Sequence, residues 1–379
     1  MSRENIAPDK IALLATGDEI SNGDILNTNS QEIAQRLYNQ GMHVGMHMTT
    51  PDTVTEIEQA IYFLLQSHCA LIITGGLGPT SDDLTRYALG NALKRPLIFD
   101  ETTWHAITER FTKLGYGEPP QSNRQQALFP QGATIITNPH GTAAGCQMQH
   151  DGKWIFMLPG PPPECLPMIE TTAIPCLIQA GLQHTLYRKN WLLFGVSEGQ
   201  IAEELDAIAK PFSCTTGYRL FYPYIEFKIY SNHEKDFAAL LPLIEKTITP
   251  YLISNGKITA STALQETLKQ TNFTLGICDQ ATGGLLEATL KSPENQAHLY
   301  FSTDKNFPHN MPHIVITGLD DFWQGKFDLN QTWLKTSFTH NNATYTIDKK
   351  IPFRGKRVKQ YAVELLCYQI NQFINEKIY

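Results

Sequence analysis

Short apolar runs that end in polar turns alternate with amphipathic segments over the first 90 residues. Residues 10–16 (KIALLAT) and 70–74 (ALIIT) are largely apolar, which predicts two buried strands. Residues 42–48 alternate apolar and polar positions with a period of two, which predicts another strand. Capping-box spacings at 29–32 and 53–56 precede apolar positions at helical spacing and predict two helices. This alternation predicts a mostly parallel sheet with helices on both faces and ligands at the carboxyl ends of its strands.

The later part of the chain predicts two smaller regions. Strand and helix patterns at short spacing indicate a small α+β domain over 185–256. A third region begins near residue 257 and ends in a long helix. We therefore expect three domains, 1–176, 185–256 and 257–379, which agrees with about 100 to 200 residues per domain.

The composition limits the partners and the location of the protein. A net charge of −7 and a pI near 5.9 give the whole molecule no attraction to nucleic acid or to an anionic membrane. No apolar stretch approaches the roughly 18 residues that span a bilayer. The seven cysteines are odd in number and form no CxxC pair, which predicts neither a disulfide framework nor a zinc ribbon. We therefore expect a cytoplasmic protein that has neither a membrane nor a nucleic acid as its partner.

The segment TGGLGPTSDD at residues 74–83 has the features of a phosphate-binding loop. Its three glycines follow a buried strand, so the backbone can turn tightly and expose consecutive N–H groups. Ser81 and Asp82 are predicted to begin a helix, whose positive end favours an anion. The loop lacks the Gly-Lys-Ser/Thr ending of a P-loop and the GxGxxG spacing of a dinucleotide-binding fold.

Two carboxylates, Asp82 and Asp83, stand where a P-loop has its lysine. They would repel a bound diphosphate unless a divalent cation lay between them, and oxygen ligands suit Mg²⁺ or Mn²⁺. Asp18 and Glu19, at the end of the first strand, could complete the cation shell or orient a water. An isolated Ser-Asp-Asp would more often only cap a helix, but a second acidic turn at a neighbouring strand end favours a metal site. We predict metal binding by all four acids and catalytic roles for Glu19, Asp82 and Asp83.

Four motifs, in this order and spacing, resemble the N-terminal domain of the CinA family (competence/damage-inducible protein CinA). They are ATGDEISNGDILNTNSQEIAQRL, TGGLGPTSDDLT, SNRQQALFPQGATIITNPHGTAAG and MLPGPPPE. The resemblance covers about 1–176 and implies the three-layer αβα sandwich of the molybdopterin-binding MoaB/MogA proteins. It also implies a homodimeric ADP-ribose pyrophosphatase that depends on Mg²⁺, Mn²⁺ or Co²⁺ and releases AMP and ribose 5-phosphate. The middle region resembles the family's small KH-like connecting domain.

The remaining motif positions are implied to bind the nucleotide substrate. An arginine such as Arg124 can clamp a phosphate, and asparagine amides can bond a ribose or a base. The implied substrate-binding residues are Gly17, Asn27, Asn29, Gly75, Gly76, Gly78, Pro79, Thr80, Asn123, Arg124, Asn138, Gly141, Thr142, Gly145, Pro159, Gly160, Pro161, Pro162 and Glu164.

The third region resembles the family's nicotinamide-nucleotide amidase domain only in pieces. Where the family reads Ala-Glu-Ser-Cys-Thr-Gly-Gly, residues 278–284 read CDQATGG, so the serine and the cysteine are both absent. The strand and helix that follow in the family are predicted to be deleted between Leu290 and Pro312. We expect a reduced α/β domain without amidase activity.

Two alternatives to diphosphate hydrolysis remain open. A molybdopterin-binding or adenylyl-transfer protein of the MoaB/MogA type would use the same loop without net hydrolysis. A non-catalytic protein associated with competence or DNA damage would show no turnover, and Asp82→Asn would leave its phenotype unchanged.

Overall fold

The computed structural model describes residues 9–308, 310–341, 343–353 and 355–378. The chain divides into two compact units, Met1–Thr185 and Leu186–Tyr379, which we name unit 1 and unit 2. The predicted domain 1–176 falls within unit 1, and its residues 1–8 lie outside the described residues. Among the described residues, no helix is long and apolar enough to cross a membrane.

Unit 1 is built on a mostly parallel six-stranded sheet, as the sequence predicts. The strands of unit 1 are β1 (Lys10–Thr16), β2 (His43–Thr50), β3 (Ala70–Thr74), β4 (Leu97–Phe99), β5 (Leu128–Pro130), β6 (Thr134–Ile136), β7 (Gly145–His150) and β8 (Lys153–Leu158). The strand order is β2-β1-β3-β8-β7-β6. The first four strands in this order are parallel, and β7 and β6 are antiparallel to their neighbours. Strands β4 and β5 form a separate pair.

Helices cover both faces of this sheet. The helices are α1 (Asp18–Ser21), α2 (Thr28–Asn39), α3 (Val54–Ser67), α4 (Thr85–Ala92), α5 (Glu101–Lys113), a 3₁₀ helix (Gln121–Ala127), α6 (Pro162–Met168), a π-helical turn (Ile169–Ala173) and α7 (Ile174–Gln179). In β1, Ile11 and Leu13 pack in a core with α2, α6 and α7. Ala12 and Leu14 pack on the other face, with α3 and α4. Because successive strand residues face opposite sides, one apolar strand supplies both cores. The predicted three-layer αβα sandwich is confirmed.

Two helix starts differ from the prediction. Ser81 and Asp82 lie in a turn, and α4 begins only at Thr85, so the predicted helix start at Ser81-Asp82 is wrong. The Asp83 carboxylate accepts hydrogen bonds from its own loop, which keeps this segment out of the helix. The N-cap of α2 is Asn27, whose side chain accepts a hydrogen bond from the backbone N–H of Ser30, the third residue of the helix.

Unit 2 contains two further sheets. The strands are β9 (Tyr187–Leu193), β10 (Thr215–Phe221), β11 (Tyr224–Ser231), β12 (Leu252–Asn255), β13 (Leu275–Asp279), β14 (Leu299–Phe301), β15 (His313–Gly318), β16 (Gln331–His340) and β17 (Ala343–Pro352). The α-helices are α8 (Glu198–Ala209), α9 (Glu234–Ile248), α10 (Ala260–Lys269), α11 (Leu285–Leu290), α12 (Asp320–Trp323) and α13 (Val358–Phe373). The antiparallel order β10-β11-β9-β12, covered by α8 and α9, is the predicted small α+β region. The second sheet has the order β14-β13-β15-β16-β17.

The two sheets of unit 2 share part of a core. Leu192, Phe194 and Tyr224 belong to the same apolar cluster as α10 and α13. The Tyr224 hydroxyl donates to Glu364 and accepts a hydrogen bond from the backbone N–H of Ala260, at 2.9 Å. The division of this unit near residue 256 therefore stays a prediction, since the chain clusters into two compact units.

Two strands of the second sheet differ from the expectation. Strand β14 lies between Leu290 and Pro312, where the family's strand is predicted to be deleted. Strand β16 has no matching prediction because Thr332 and Thr336 occupy half of its buried positions and mask the apolar period.

Candidate functional site

The carboxyl ends of the parallel strands in unit 1 meet at one cleft of about 600 Å³. The turns after β1, β2, β3 and β8 all contribute to its wall, as expected for an open α/β sheet. Sixteen predicted site residues line it: Gly17, Glu19, Asn27, Asn29, Gly75, Gly76, Gly78, Pro79, Asp82, Asp83, Thr142, Pro159, Gly160, Pro161, Pro162 and Glu164.

The glycines that open the loop after β3 are required by its conformation. Gly75 and Gly76 have φ values of 103° and 62°, in the region that favours glycine. A Cβ at Gly76 would lie 2.2 Å from Thr85 Oγ1, and one at Gly75 would lie 2.3 Å from the backbone oxygen of Thr16. The loop therefore lies directly against the end of β1 and the start of α4.

Asp83 uses two of the loop amides that the sequence assigns to phosphate. Its Oδ1 accepts from the Gly78 N–H at 2.7 Å, and its Oδ2 accepts from the Thr80 N–H at 2.8 Å and the Thr80 hydroxyl at 2.5 Å. The Gly75 N–H donates to Leu158 O at 3.1 Å. Within the described residues, the N–H groups of Gly76 and Leu77 have no hydrogen-bond partner. The predicted amide cradle over 75–80 is thus reduced to these two groups, and Asp83 shapes the loop.

The NTN and PGPPPE motifs meet across the cleft. The Asn29 side-chain amide donates to Gly160 O at 2.5 Å. The Oδ1 atom of Asn29 is buried without a partner among the described residues. The Asn27 Oδ1 accepts from the Ser30 N–H at 3.0 Å, so this cleft-lining side chain is also a helix cap.

Asn138 and Glu164 form a second pair beside the cleft. The Asn138 amide group donates to Glu164 Oε2 at 2.6 Å and to Ala143 O at 3.0 Å, and its Oδ1 accepts from the Gly141 N–H at 2.9 Å. A Cβ at Gly141 would lie 2.2 Å from Glu164 Oε2. Asn138 and Gly141 therefore orient the cleft-lining carboxylate of Glu164 and are not themselves cleft residues.

The structure brings Gln126 of the SNRQQ motif to the cleft wall, but not the two predicted residues, Asn123 and Arg124. The Arg124 guanidinium lies 4.4 Å from the centre of the Phe99 ring and 5.2 Å from that of Trp104, which is a cation–π arrangement. Asn123 is buried, and its amide donates to Gln126 Oε1 at 2.9 Å. Neither residue lines the cleft, so the predicted phosphate clamp at Arg124 is not supported.

Three other predicted residues also lie outside the cleft wall. Asp18 forms a reciprocal pair with Asp52, in which each backbone N–H donates to the other carboxylate at 3.1 Å. Thr80 is exposed and binds Asp83. Gly145 is part of β7, where a Cβ would lie 2.7 Å from Met157 O, so this glycine permits close strand packing.

The fifth acid of the cleft, Asp52, is missed by the sequence reasoning. It follows the end of β2, and its position two residues beyond a strand is the only sequence signal for it. Burial raises its pKa, and the charges of Asp18, Glu19 and Asp82 raise it further, against the lowering effect of its hydrogen bond with Asp18. Asp82 is exposed, and the nearby Thr80 side chain lowers its pKa.

The cleft has the donor atoms that a hard divalent cation prefers. Its described lining includes five carboxylates, those of Glu19, Asp52, Asp82, Asp83 and Glu164, and no Lys, Arg or His. Within the described ranges, no three His, Cys, Asp or Glu side chains are grouped closely enough to hold a metal ion. Mg²⁺ is usually held by one or two carboxylates together with substrate phosphates. The cleft residues therefore fit a divalent cation that binds together with the substrate. They fit poorly the predicted metal site in which all four acids already surround the cation.

The comparisons with known proteins agree with this fold. A family model described as "Probable molybdopterin binding domain" matches residues 12–179. A CinA-like protein of Geobacter sulfurreducens is 31% identical over 300 residues, which is 77% of this chain and 72% of that protein. A CinA-like protein of Geobacter metallireducens is 32% identical over 303 residues, 77% of this chain and 73% of that protein.

These findings define the class of protein first, an α/β protein with a domain of the molybdopterin-binding type. More narrowly, the chain belongs to the CinA-like family. The solved structure of CinA with unknown function from Thermoplasma acidophilum is 28% identical and covers 44% of this chain and 97% of that chain, with a TM-score of 0.41.

Proposed function

We propose that unit 1 hydrolyses the diphosphate of ADP-ribose, or of a similar nucleoside diphosphate sugar, to AMP and a sugar phosphate in a metal-dependent reaction. The observation that carries this proposal is a glycine-rich loop beside a cleft that is lined by five carboxylates and, in its described part, by no basic side chain. A diphosphate can enter such a cleft only together with a cation.

Glu19 and Asp82 are the two residues proposed to hold the cation. Both line the cleft, whereas Asp83 is engaged by its own loop and Asp18 by the backbone of Asp52. A bound Mg²⁺, Mn²⁺ or Co²⁺ would neutralise the phosphate oxygens and polarise the phosphorus for attack by water. The N–H groups of Gly76 and Leu77 would donate to a phosphate oxygen, and the Asn29 amide, oriented by Gly160, would bond the sugar.

AMP release from ADP-ribose by the purified full chain tests the proposal. We expect turnover with Mg²⁺, Mn²⁺ or Co²⁺ and none with chelator. Glu19→Gln and Asp82→Asn should each lower turnover by about 100-fold or more, because each removes a metal ligand. Asp328→Asn, a substitution of an exposed acid in unit 2, is the matched control and should leave turnover unchanged. Activity that persists in chelator would refute the metal-dependent mechanism.

A second candidate function is favoured by the family match over 12–179. In this alternative the cleft binds molybdopterin, or transfers an adenylyl group to it, without net hydrolysis of ADP-ribose. Tight molybdopterin binding by a protein that releases no AMP would favour this alternative over hydrolysis.

Unit 2 is proposed to lack amidase activity. The homodimer implied by the family resemblance and the cytoplasmic location expected from the composition belong to the same proposal. All seven cysteines are unpaired, which fits a reducing compartment.

A further inference from the structure

A charged side chain is completely buried behind the glycine-rich loop. Arg86, in the first turn of α4, has no exposed surface. Its Nη2 donates to Leu77 O at 2.7 Å and its Nη1 to Gly78 O at 3.4 Å, while its Nε is buried without a partner among the described residues. Burying a guanidinium in this way is costly, so its retention calls for a local role.

Arg86 keeps its positive charge at neutral pH. Burial lowers its pKa to about 10, an effect that the nearby Asp83 carboxylate opposes. In the part of the chain that the structure describes, its guanidinium forms no ion pair, and its hydrogen bonds all go to loop carbonyls. The buried cation therefore acts on the loop itself.

Other groups hold the same face of the loop. Gln125 donates to Gly78 O at 3.1 Å and to Thr80 O at 2.7 Å, and Gln126 donates to Leu77 O at 3.4 Å. The Gly76 carbonyl accepts from the Thr85 N–H at 3.3 Å.

These bonds fix the direction of the loop's peptide groups. In a planar trans peptide the C=O of one residue and the N–H of the next point in opposite directions. The Gly76 carbonyl points to the start of α4, so the Leu77 N–H, which has no partner among the described residues, points to the opposite side. The Leu77 and Gly78 carbonyls, which Arg86 holds, belong to peptides whose N–H is bonded to Asp83 or, at Pro79, absent. The bonds of Arg86 therefore keep the negative ends of these dipoles on one side of the loop and do not themselves orient a free N–H group.

We propose that Arg86 is a positioning residue that holds the Leu77 and Gly78 carbonyls away from the cleft. It thereby fixes the loop next to the unpartnered N–H groups of Gly76 and Leu77, so that no carbonyl oxygen opposes a phosphate bound to them. The proposal rests on the proposed function insofar as the ligand is a diphosphate. Arg86 does not line the cleft, so it would not contact a substrate bound there. It acts through the loop, which makes a phosphate site possible in a cleft whose described wall has no cationic side chain.

Binding of inorganic pyrophosphate in the presence of Mn²⁺ to the full chain, measured by calorimetry, tests the positioning role. The variants are Arg86→Met, which keeps the volume and removes the charge, and Arg86→Lys, which keeps the charge. Arg36→Met is the matched control, because Arg36 binds Glu32 and Glu170 and does not line the cleft. Circular dichroism first shows which variants are folded.

We expect Arg86→Met to weaken pyrophosphate binding about tenfold or more and Arg86→Lys about threefold, with no change in Arg36→Met. If Arg86 served packing alone, folded Arg86→Met would bind pyrophosphate within twofold of wild type, or as tightly as Arg86→Lys does. Either result would overturn the proposal. If Arg86→Met does not fold, the proposal is tested by pyrophosphate binding to Arg86→Lys and Gln125→Leu. Each should weaken binding about threefold, and unchanged binding in both would overturn it.

AMP release measured on the same proteins separates this inference from the proposed function. A wild-type protein that binds Mn²⁺-pyrophosphate but releases no AMP refutes hydrolysis, and the binding ratios of the variants still decide the role of Arg86. A wild-type protein that does not bind Mn²⁺-pyrophosphate overturns the role of Arg86, whatever the turnover.

Discussion

Asp82 and Asp83 are adjacent in the sequence but have different surroundings. The Asp83 carboxylate accepts hydrogen bonds from Gly78 and Thr80 and closes the loop on itself. Asp82 is exposed at the cleft wall. We therefore expect Asp83 to affect the stability of the fold and Asp82 to affect the reaction.

We expect Asp83→Ala to lower the free energy of unfolding of unit 1 by about 2 kcal/mol, because two loop N–H groups lose their acceptor. Asp82→Ala, at the exposed neighbouring position, should change it by less than about 0.5 kcal/mol. Urea-induced unfolding of both variants measures the difference. Equal stabilities would show that the Asp83 bonds do not hold the loop.

Because the pKa of Asp52 is raised, we expect the stability of the protein to depend on pH. The pKa of this carboxyl is raised above 3.8, so between 3.8 and the raised value the folded chain binds more protons than the unfolded chain. Stability therefore falls as the pH rises through that window. We expect Asp52→Asn, which is neutral at every pH, to melt about 1–2 °C above wild type at pH 7, a small rise because solvent screens the exposed part of the side chain.

Thermal melts of wild type and Asp52→Asn at several pH values measure this gap. It should narrow as the pH falls towards 3.8, where wild-type Asp52 becomes neutral as well. Asp328→Asn, at an exposed turn, should show no such gap. A constant gap at every pH would mean that packing, and not charge, separates the two proteins.

Residue type alone does not show which motif positions face the cleft. Arg124 suits a phosphate, yet its side chain lies on Phe99 and Trp104. The arginine that contacts the glycine-rich loop is instead Arg86, which is buried and comes directly after the motif TGGLGPTSDDLT. The sequence gives the chemistry of a side chain, but its direction depends on partners that are distant along the chain.

At the scale of elements, the turn between β3 and α4 is the most constrained part of the site. Gly76 has a φ of 62° and lies against Thr85, whereas Gly152 has a φ of 75° and open space around it. Both glycines thus have a positive φ, but only at Gly76 would an added Cβ clash with a neighbouring side chain.

We expect Gly76→Ala to cost about 3 kcal/mol of unfolding free energy, from backbone strain together with the clash, and Gly152→Ala about 1 kcal/mol, from strain alone. Urea unfolding of both variants separates the two contributions. Similar losses in both would contradict a close contact between the loop and α4.

The strands of unit 1 follow from local pattern, whereas the start of α4 does not. β3 matches the predicted run 70–74, and β1 matches 10–16, because buried parallel strands have continuous apolar sequences. Helix α4 begins later than Ser81-Asp82 because Asp83 bonds to the preceding loop. A side chain that competes with the helix backbone can be recognised only when its partners are known.

At the scale of the whole molecule, unit 2 has a closed loop where the family's amidase motif would lie. The Asp279 carboxylate accepts from the N–H groups of Ala281 and Thr282, at 3.0 and 2.9 Å. The Trp323 indole N–H donates to Ala281 O at 2.8 Å, and a Cβ at Gly283 would lie 2.6 Å from the Trp323 ring. Gln280 and Ala281 stand where the family motif has its serine and cysteine, and Trp323 covers the loop.

We therefore expect the full chain to release no ammonia from nicotinamide mononucleotide, because Gln280 replaces the motif's serine and cannot supply a nucleophilic hydroxyl. Trp323→Ala, which uncovers the loop, should not restore the reaction. A coupled ammonia assay measures both proteins, with AMP release from ADP-ribose as the control for an intact unit 1. Turnover by either protein would contradict the proposed loss of amidase activity.

The sequence by itself determined the αβα sandwich, the position of the cleft and the family, because apolar periodicity and contiguous motifs are local properties of the chain. Only the tertiary structure decided that Asp52 joins the acids, that Asp83 binds its own loop and that Arg86 supports it from behind. Gln125 donates a hydrogen bond to Gly78, 47 residues away in the sequence, and Asn29 donates one to Gly160, 131 residues away. Such contacts depend on how distant segments are folded together, and no local pattern encodes them.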